Sequence, residues 1–91
     1  LPNVLILSYP MAVNVKSDIE TYVIMRVKEM RESAGLSQSE LALRLDVSNG
    51  FIGQAESSKS PTKYNLNHLN KLAVVFDCSL KDFMPEKPFS K

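Results

Sequence analysis

The chain has 91 residues, 44% of them hydrophobic and 23% charged, and a formal net charge of +1. These values describe one small globular domain and exclude a disordered or membranous chain, and they withhold the strongly basic balance that would by itself argue for nucleic acid. The single cysteine, Cys78, excludes an internal disulfide framework and leaves no zinc spacing, and no apolar run approaches the roughly 18 residues that cross a bilayer; a reducing cytoplasm is the expected home.

Residues 1–16 differ from the rest of the chain. The chain opens at Leu1, Met11-Ala12 reads as a natural start, and Val4-Leu5-Ile6-Leu7 is too short for a signal-peptide core and has no positive residue before it. Two readings of this segment stand side by side. It is a frayed tail, as termini usually are, or a short apolar strand that docks on the domain or pairs with a second copy.

The domain proper spans residues 17–84. Ser17-Asp18-Ile19-Glu20 is a capping box, in which the serine hydroxyl takes a backbone hydrogen from the first turn and the glutamate reaches back to the serine N–H. Ile19, Tyr22, Val23, Arg26, Val27, Met30 and Ala34 recur at helical steps and predict one buried stripe on a helix running to about Ser33, with Gly35 at the C′ position that ends it. Ser37 and Glu40 form a second capping box. Leu41, Ala42 and Leu45 then share one face of a helix over about 38–45, and Asp46 breaks it. Ser48 is an N-cap candidate for a helix over about 49–57, where Ile52, Ala55 and Glu56 share a face. The methyl of Ala42 lets a second helix cross closely, so the two short helices and their tight turn have the layout of a helix-turn-helix.

Ser57 to Tyr64 is polar with a proline and reads as a loop. Asn65 caps a fourth helix whose apolar face is Leu66, Leu69, Leu72, Ala73 and Phe76, and Asp77 breaks it. Ser79 with Asp82 caps a last short helix carrying Leu80 and Phe83; Pro85 and Pro88 end regular structure and leave a tail over residues 85–91. No strand pattern appears between 17 and 84. The expected fold is a compact all-α domain of five short helices with flexible termini.

The matching run is Val27-Lys28-Glu29-Met30-Arg31, then Gly35-Leu36-Ser37-Gln38-Ser39-Glu40-Leu41-Ala42, Val47-Ser48, Ile52 and Glu56, closed by Leu72-Ala73, Phe76, Ser79-Leu80 and Phe83. In this order and spacing, the stretch from Arg26 to Phe83 resembles the Cro/repressor-type (XRE-like) helix-turn-helix DNA-binding family of bacteria and phages. The resemblance implies a lambda-repressor-like fold, double-stranded DNA as partner, and action as a homodimer. Gln38 matches a glutamine that touches a DNA phosphate and helps orient the recognition helix, beside backbone N–H groups that form an anion site at a helix N-terminus. With Ser48 at the start of the recognition helix, Asn49, Gly50, Gly53 and Gln54 match the positions that face base edges. Gln54 is the strongest candidate for a base contact, since an amide can bond adenine N6 and N7 together. Phe51 sits at the flank, either touching a thymine methyl or packing under the following loop. Arg31 and Glu56 match a partly buried salt bridge between the first and third helices, and Lys59 and Lys63 are either phosphate contacts or solvated loop charges.

Three departures from the family pattern matter. Ser58 stands where the family has a glycine. The connection from Glu56 to Ala73 is longer than the common pattern, so the resemblance gives Thr62, Lys63 and Tyr64 no firm role. The recognition helix has no basic residue, and from Leu36 to Lys63 the cations Arg44, Lys59 and Lys63 only offset Glu40, Asp46 and Glu56. A single domain of this kind is expected to bind DNA weakly, because phosphate neutralisation supplies much of the affinity.

Gly50 and Gly53 cost a helix about 1 kcal/mol each relative to alanine; close approach to DNA explains them, or close packing against the first or fourth helix. His68 reads as a solvated helix residue, Cys78 as a buried inert thiol, and the methionines as core filler. With one histidine, one cysteine, no phosphate-cradling glycine loop and no metal spacing, no catalytic site, metal or cofactor is expected. The expected function is a sequence-specific DNA-binding transcriptional regulator with its 49–57 helix in the major groove. The alternative is a protein-interaction module on the same fold, such as an antitoxin-like or restriction-control partner.

Overall fold

In the computed structural model, which describes residues 15–90, the chain forms four α-helices and a final 3-10 turn: α1 Asp18–Ser33, α2 Gln38–Leu45, α3 Phe51–Glu56, α4 Leu66–Phe76, and the turn Leu80–Phe83. No strand occurs among the described residues. The expected strand at Val4–Leu7 lies outside them.

Local chemistry sets most of the helix ends. Glu20 N–H donates to Ser17 Oγ at 3.2 Å and Ser17 N–H to Glu20 Oε1 at 2.8 Å, closing the first capping box. Ser37 and Glu40 repeat it at 3.0 and 2.7 Å. At the other end of α1, Gly35 takes φ +73, its N–H donates to the Glu32 carbonyl at 3.0 Å, and Leu36 N–H donates to the Arg31 carbonyl at 3.1 Å. That is a Schellman ending, which needs a residue able to enter the left-handed region. Asp46 (φ 58) and Asp77 (φ 53) end α2 and α4 in the same region, where a short polar side chain is tolerated. Asn65 caps α4, accepting from His68 N–H at 2.7 Å, and His68 Nδ1 accepts from Asn65 N–H at 3.0 Å.

The expected fifth helix is a single 3-10 turn. Ser79 and Asp82 cap it as the pattern requires, but Met84 precedes Pro85 and is held extended at φ −101, ψ 148. A residue before proline avoids the helical region, so the turn has no room to become an α-helix.

The core is built from Val23 and Val27 of α1, Leu41, Ala42 and Leu45 of α2, Ile52 of α3, Leu69, Leu72 and Ala73 of α4, and Phe83. Fully burying the valine, leucine, isoleucine and phenylalanine side chains among these stabilises the fold by about 1.5–3 kcal/mol each. The buried face of α1 is rotated from the expected stripe. Val23, Ile24, Val27 and Arg31 are buried, whereas Ile19 and Ala34 are exposed and Tyr22, Arg26 and Met30 only partly covered. The cause is α3, which packs on the side of α1 that carries Arg31. Residues 85–90 form no helix, yet Phe89 returns to α1 and meets Tyr22 edge-on at 6.2 Å between ring centres.

Candidate nucleic-acid interface

The α2–turn–α3 unit presents a buried and an open side. Ile52 and Ala55 of α3 are fully buried; Ser48, Asn49, Gly50 and Gln54 are exposed, and Phe51 and Gly53 are half-buried. α3 is shorter than the expected 49–57 helix. Asn49 and Gly50 belong to the turn, and Ser57 is the residue that closes it. Ser48 does not cap α3 with its side chain. Its carbonyl accepts from Phe51 N–H at 3.0 Å, and α3 starts behind Gly50 with no side-chain cap.

An uncapped six-residue helix is marginal by itself, so its position is set from outside. Arg31 of α1 grips Glu56 through two parallel bonds, Nε to Oε2 at 2.8 Å and Nη2 to Oε1 at 2.9 Å. Its third nitrogen, Nη1, donates to the Leu36 carbonyl at 2.8 Å. Both side chains are nearly withdrawn from solvent, at 10% and 4% exposure. The hydrogen bonds to Glu56 hold the Arg31 guanidinium above its already high ordinary value. Such a fork fixes direction as well as distance. Gln38, the first residue of α2, joins the same carboxylate: Nε2 donates to Glu56 Oε1 at 2.9 Å. The Gln38 side chain therefore orients α3, while the residue stays exposed at the start of α2.

Gly53 is explained by this junction. A methyl at its Cα would lie 3.1 Å from Gln38 Oε1. The close neighbour is therefore α2, not the first or fourth helix considered from sequence. Gly50 differs, since a Cβ there would meet nothing within 4 Å.

Phe51 packs beneath the loop. Its ring centre lies 4.8 Å from that of His68 and 6.0 Å from that of Tyr64. His68 is consequently half-covered and bound into the Asn65 cap, where sequence had placed a solvated residue. Lys63 Nζ pairs with Glu20 Oε2 of α1 at 2.7 Å across an exposed surface, and that bond holds the Glu20 carboxyl below its usual range. Lys59 keeps an exposed side chain. Cys78 is half-buried, its thiol pushed up first by burial and then by Asp82 and Asp77, which keeps it protonated.

Two residues at this site escaped the sequence reading. Lys16, buried ahead of α1, donates to the carbonyls of Ala55 (2.9 Å), Gln54 (3.5 Å) and Ser57 at the end of α3. Only a lone lysine before a capping box marked it. Tyr64 is partly buried, its Oη has no partner among the described residues, and burial, followed by the Glu56 carboxylate, pushes its phenol well above the ordinary value. Among the described residues, no His, Cys, Asp and Glu group is arranged to hold a metal ion, and no helix is long and apolar enough to cross a membrane.

A short helix locked against two others, with its outer face open after a tight turn, defines a helix-turn-helix protein. The family model described as Helix-turn-helix matches residues 27–83, and the chain belongs to that family, in its Cro/repressor-type branch. Two solved structures show the relationship. The restriction-modification controller protein C.AhdI from Aeromonas hydrophila is 25% identical with a TM-score of 0.61, over 70% of this chain and 94% of its own. The N-terminal DNA binding domain of SinR from Bacillus subtilis is 28% identical with a TM-score of 0.62, over 76% of this chain and 99% of its own. No curated protein matches the chain.

Proposed function

We propose that this protein is a sequence-specific DNA-binding transcriptional regulator that presents α3 to the major groove. The observation that carries this reading is the shared grip of Arg31 and Gln38 on Glu56, which holds α3 with Asn49, Gly50 and Gln54 outward. Family membership and the two structural relatives, one a controller protein and one a DNA binding domain, support it. Two copies acting together would set their α3 helices into successive major grooves about 34 Å apart. Backbone amides at the start of α2 and the Lys59 side chain would hold phosphates and fix register, while the exposed residues from Asn49 to Gln54 read bases. The role is binding, without catalysis or cofactor.

Lys63 is drawn to Glu20 in the free protein by an exposed ion pair and α3 has no basic residue, so few cations stand ready at this face to neutralise phosphates. Binding by one domain is therefore weak and its salt dependence shallow, at about −0.9 in log–log slope for each phosphate held. The same withdrawal favours, as a second reading, a module whose exposed face meets a protein. Titrating the full chain against random-sequence duplex DNA at increasing salt separates the two. A measurable negative slope supports DNA binding, and no binding even at low salt refutes it. Mass measurement in solution and on DNA tests the dimer.

A further inference from the structure

The loop between α3 and α4 carries a chain of hydroxyl groups that ends on the open face of α3. Thr62 N–H donates to Ser60 Oγ at 3.2 Å, Ser60 O–H donates to Thr62 Oγ1 at 3.1 Å, and Thr62 O–H donates to Gln54 Oε1 at 3.3 Å. Each hydroxyl has one hydrogen to give and two lone pairs to accept with, so in this arrangement Thr62 Oγ1 accepts from Ser60 and gives its own hydrogen to Gln54.

The residues after Thr62 hold it in place. Lys63 is ion-paired to Glu20 of α1 at 2.7 Å, and Tyr64 is packed against Phe51 and His68. The loop is thus tied to α1, to the aromatic cluster and to α3 through three consecutive side chains. Gln54 itself is exposed, and its amide has no other protein partner to fix its plane among the hydrogen bonds of the described residues.

We propose that Thr62 is a positioning residue for base readout: it holds Gln54 Oε1 toward the loop and turns the two Nε2 hydrogens outward. Gln54 then reads a base edge that offers acceptors. Guanine, with N7 and O6, fits that arrangement; adenine requires the same amide to donate to N7 and accept from N6. This rests on the DNA-binding reading and replaces the adenine pairing suggested by the sequence with a guanine preference set by the loop.

The test is selection of binding sites from a randomised duplex library with the full chain as wild type, Thr62→Val, Thr62→Ser and Gln54→Ala, with an unfolding midpoint for each. Gln54→Ala identifies the base position concerned. The wild type is expected to select guanine there. Thr62→Val, which keeps the shape and deletes the hydroxyl, shifts the preference toward adenine by about tenfold, Thr62→Ser restores it, and affinity for random DNA stays within about twofold. A purely structural role would lower affinity on all sequences together with the unfolding midpoint and leave base preference alone. Selection of adenine by the wild type, or an unchanged preference in Thr62→Val, overturns the inference while leaving DNA binding intact. Absence of binding to any duplex removes the DNA reading and this inference with it. A readout independent of DNA and of the variants is the Gln54 side-chain NH2 pair in NMR spectra of the free protein. It is expected away from the position of an unstructured glutamine, and coincidence with that position overturns the proposal.

Discussion

The Lys16 ammonium lies 2.9 Å from the carbonyl oxygen of Ala55, joining the residue ahead of the α1 cap to the far end of α3. α3 has no basic residue in its last turn and no side-chain cap at its start. Its terminal carbonyls carry the negative end of the helix dipole, and a buried ammonium that bonds them directly is the strongest local answer to that charge.

Replacing Lys16 with methionine keeps much of the stem and removes the donors. The expected cost is about 1–3 kcal/mol, the range for leaving a buried acceptor unsatisfied, read as a lower urea midpoint. Lys16→Arg should retain most of the stability. An unchanged midpoint in Lys16→Met would show that water replaces the ammonium without loss.

Arg31 and Glu56 are a buried pair, so removing one partner strands the other. Glu56→Ala is expected to destabilise the domain by about 3–5 kcal/mol, and the double variant Arg31→Met/Glu56→Leu to recover much of that loss, because two apolar groups leave no uncompensated charge. DNA binding should not recover with it, since the fork that aims α3 is gone. Urea unfolding and duplex titration on the same samples separate the two effects.

Gly53→Ala sets helix propensity against a contact. Alanine favours the helix by about 1 kcal/mol over glycine, but its methyl arrives 3.1 Å from Gln38 Oε1, the end of a flexible side chain. We expect Gln38 to give way, with stability unchanged or raised by about 0.5–1 kcal/mol and DNA affinity lowered because its bond to Glu56 is lost. A marked fall in the unfolding midpoint would show that Gln38 cannot move.

His68 predicts an acid-side loss of stability. Burial, then Lys71, holds its imidazole below the ordinary 6.5. The unfolded chain therefore takes up the proton more readily than the folded one. The His68 contribution is complete above about pH 6.5 and declines as pH falls from there toward the depressed folded value. Protonation also removes the Nδ1 acceptor that holds Asn65 N–H. His68→Gln keeps an acceptor at the capping position and should flatten this part of the stability profile, measured by urea midpoints across the range. An equal slope in both proteins would assign it to other groups.

Much of the fold was legible in the sequence because its determinants are local. Ser17 with Glu20, Ser37 with Glu40, Asn65, Asp46, Asp77 and Gly35 act within a turn of their own helix, and the apolar steps of α2 and, apart from the exposed Leu66, of α4 mark their buried faces. The Arg31–Glu56 pairing was legible only through resemblance. What tertiary structure alone decided lies at larger separations: Lys16 crosses 39 residues to Ala55, and Lys63 crosses 43 to Glu20. Phe51 turns to His68, Gly53 makes room for Gln38, and Thr62 reaches back to Gln54. A charged or hydroxyl side chain on a loop has no periodicity to reveal its partner, and its direction is set only when the elements have packed. The sequence by itself thus determined a helix-turn-helix with its caps and core; which of its polar residues stay free to meet DNA was decided by the packing of α1 and the loop around α3.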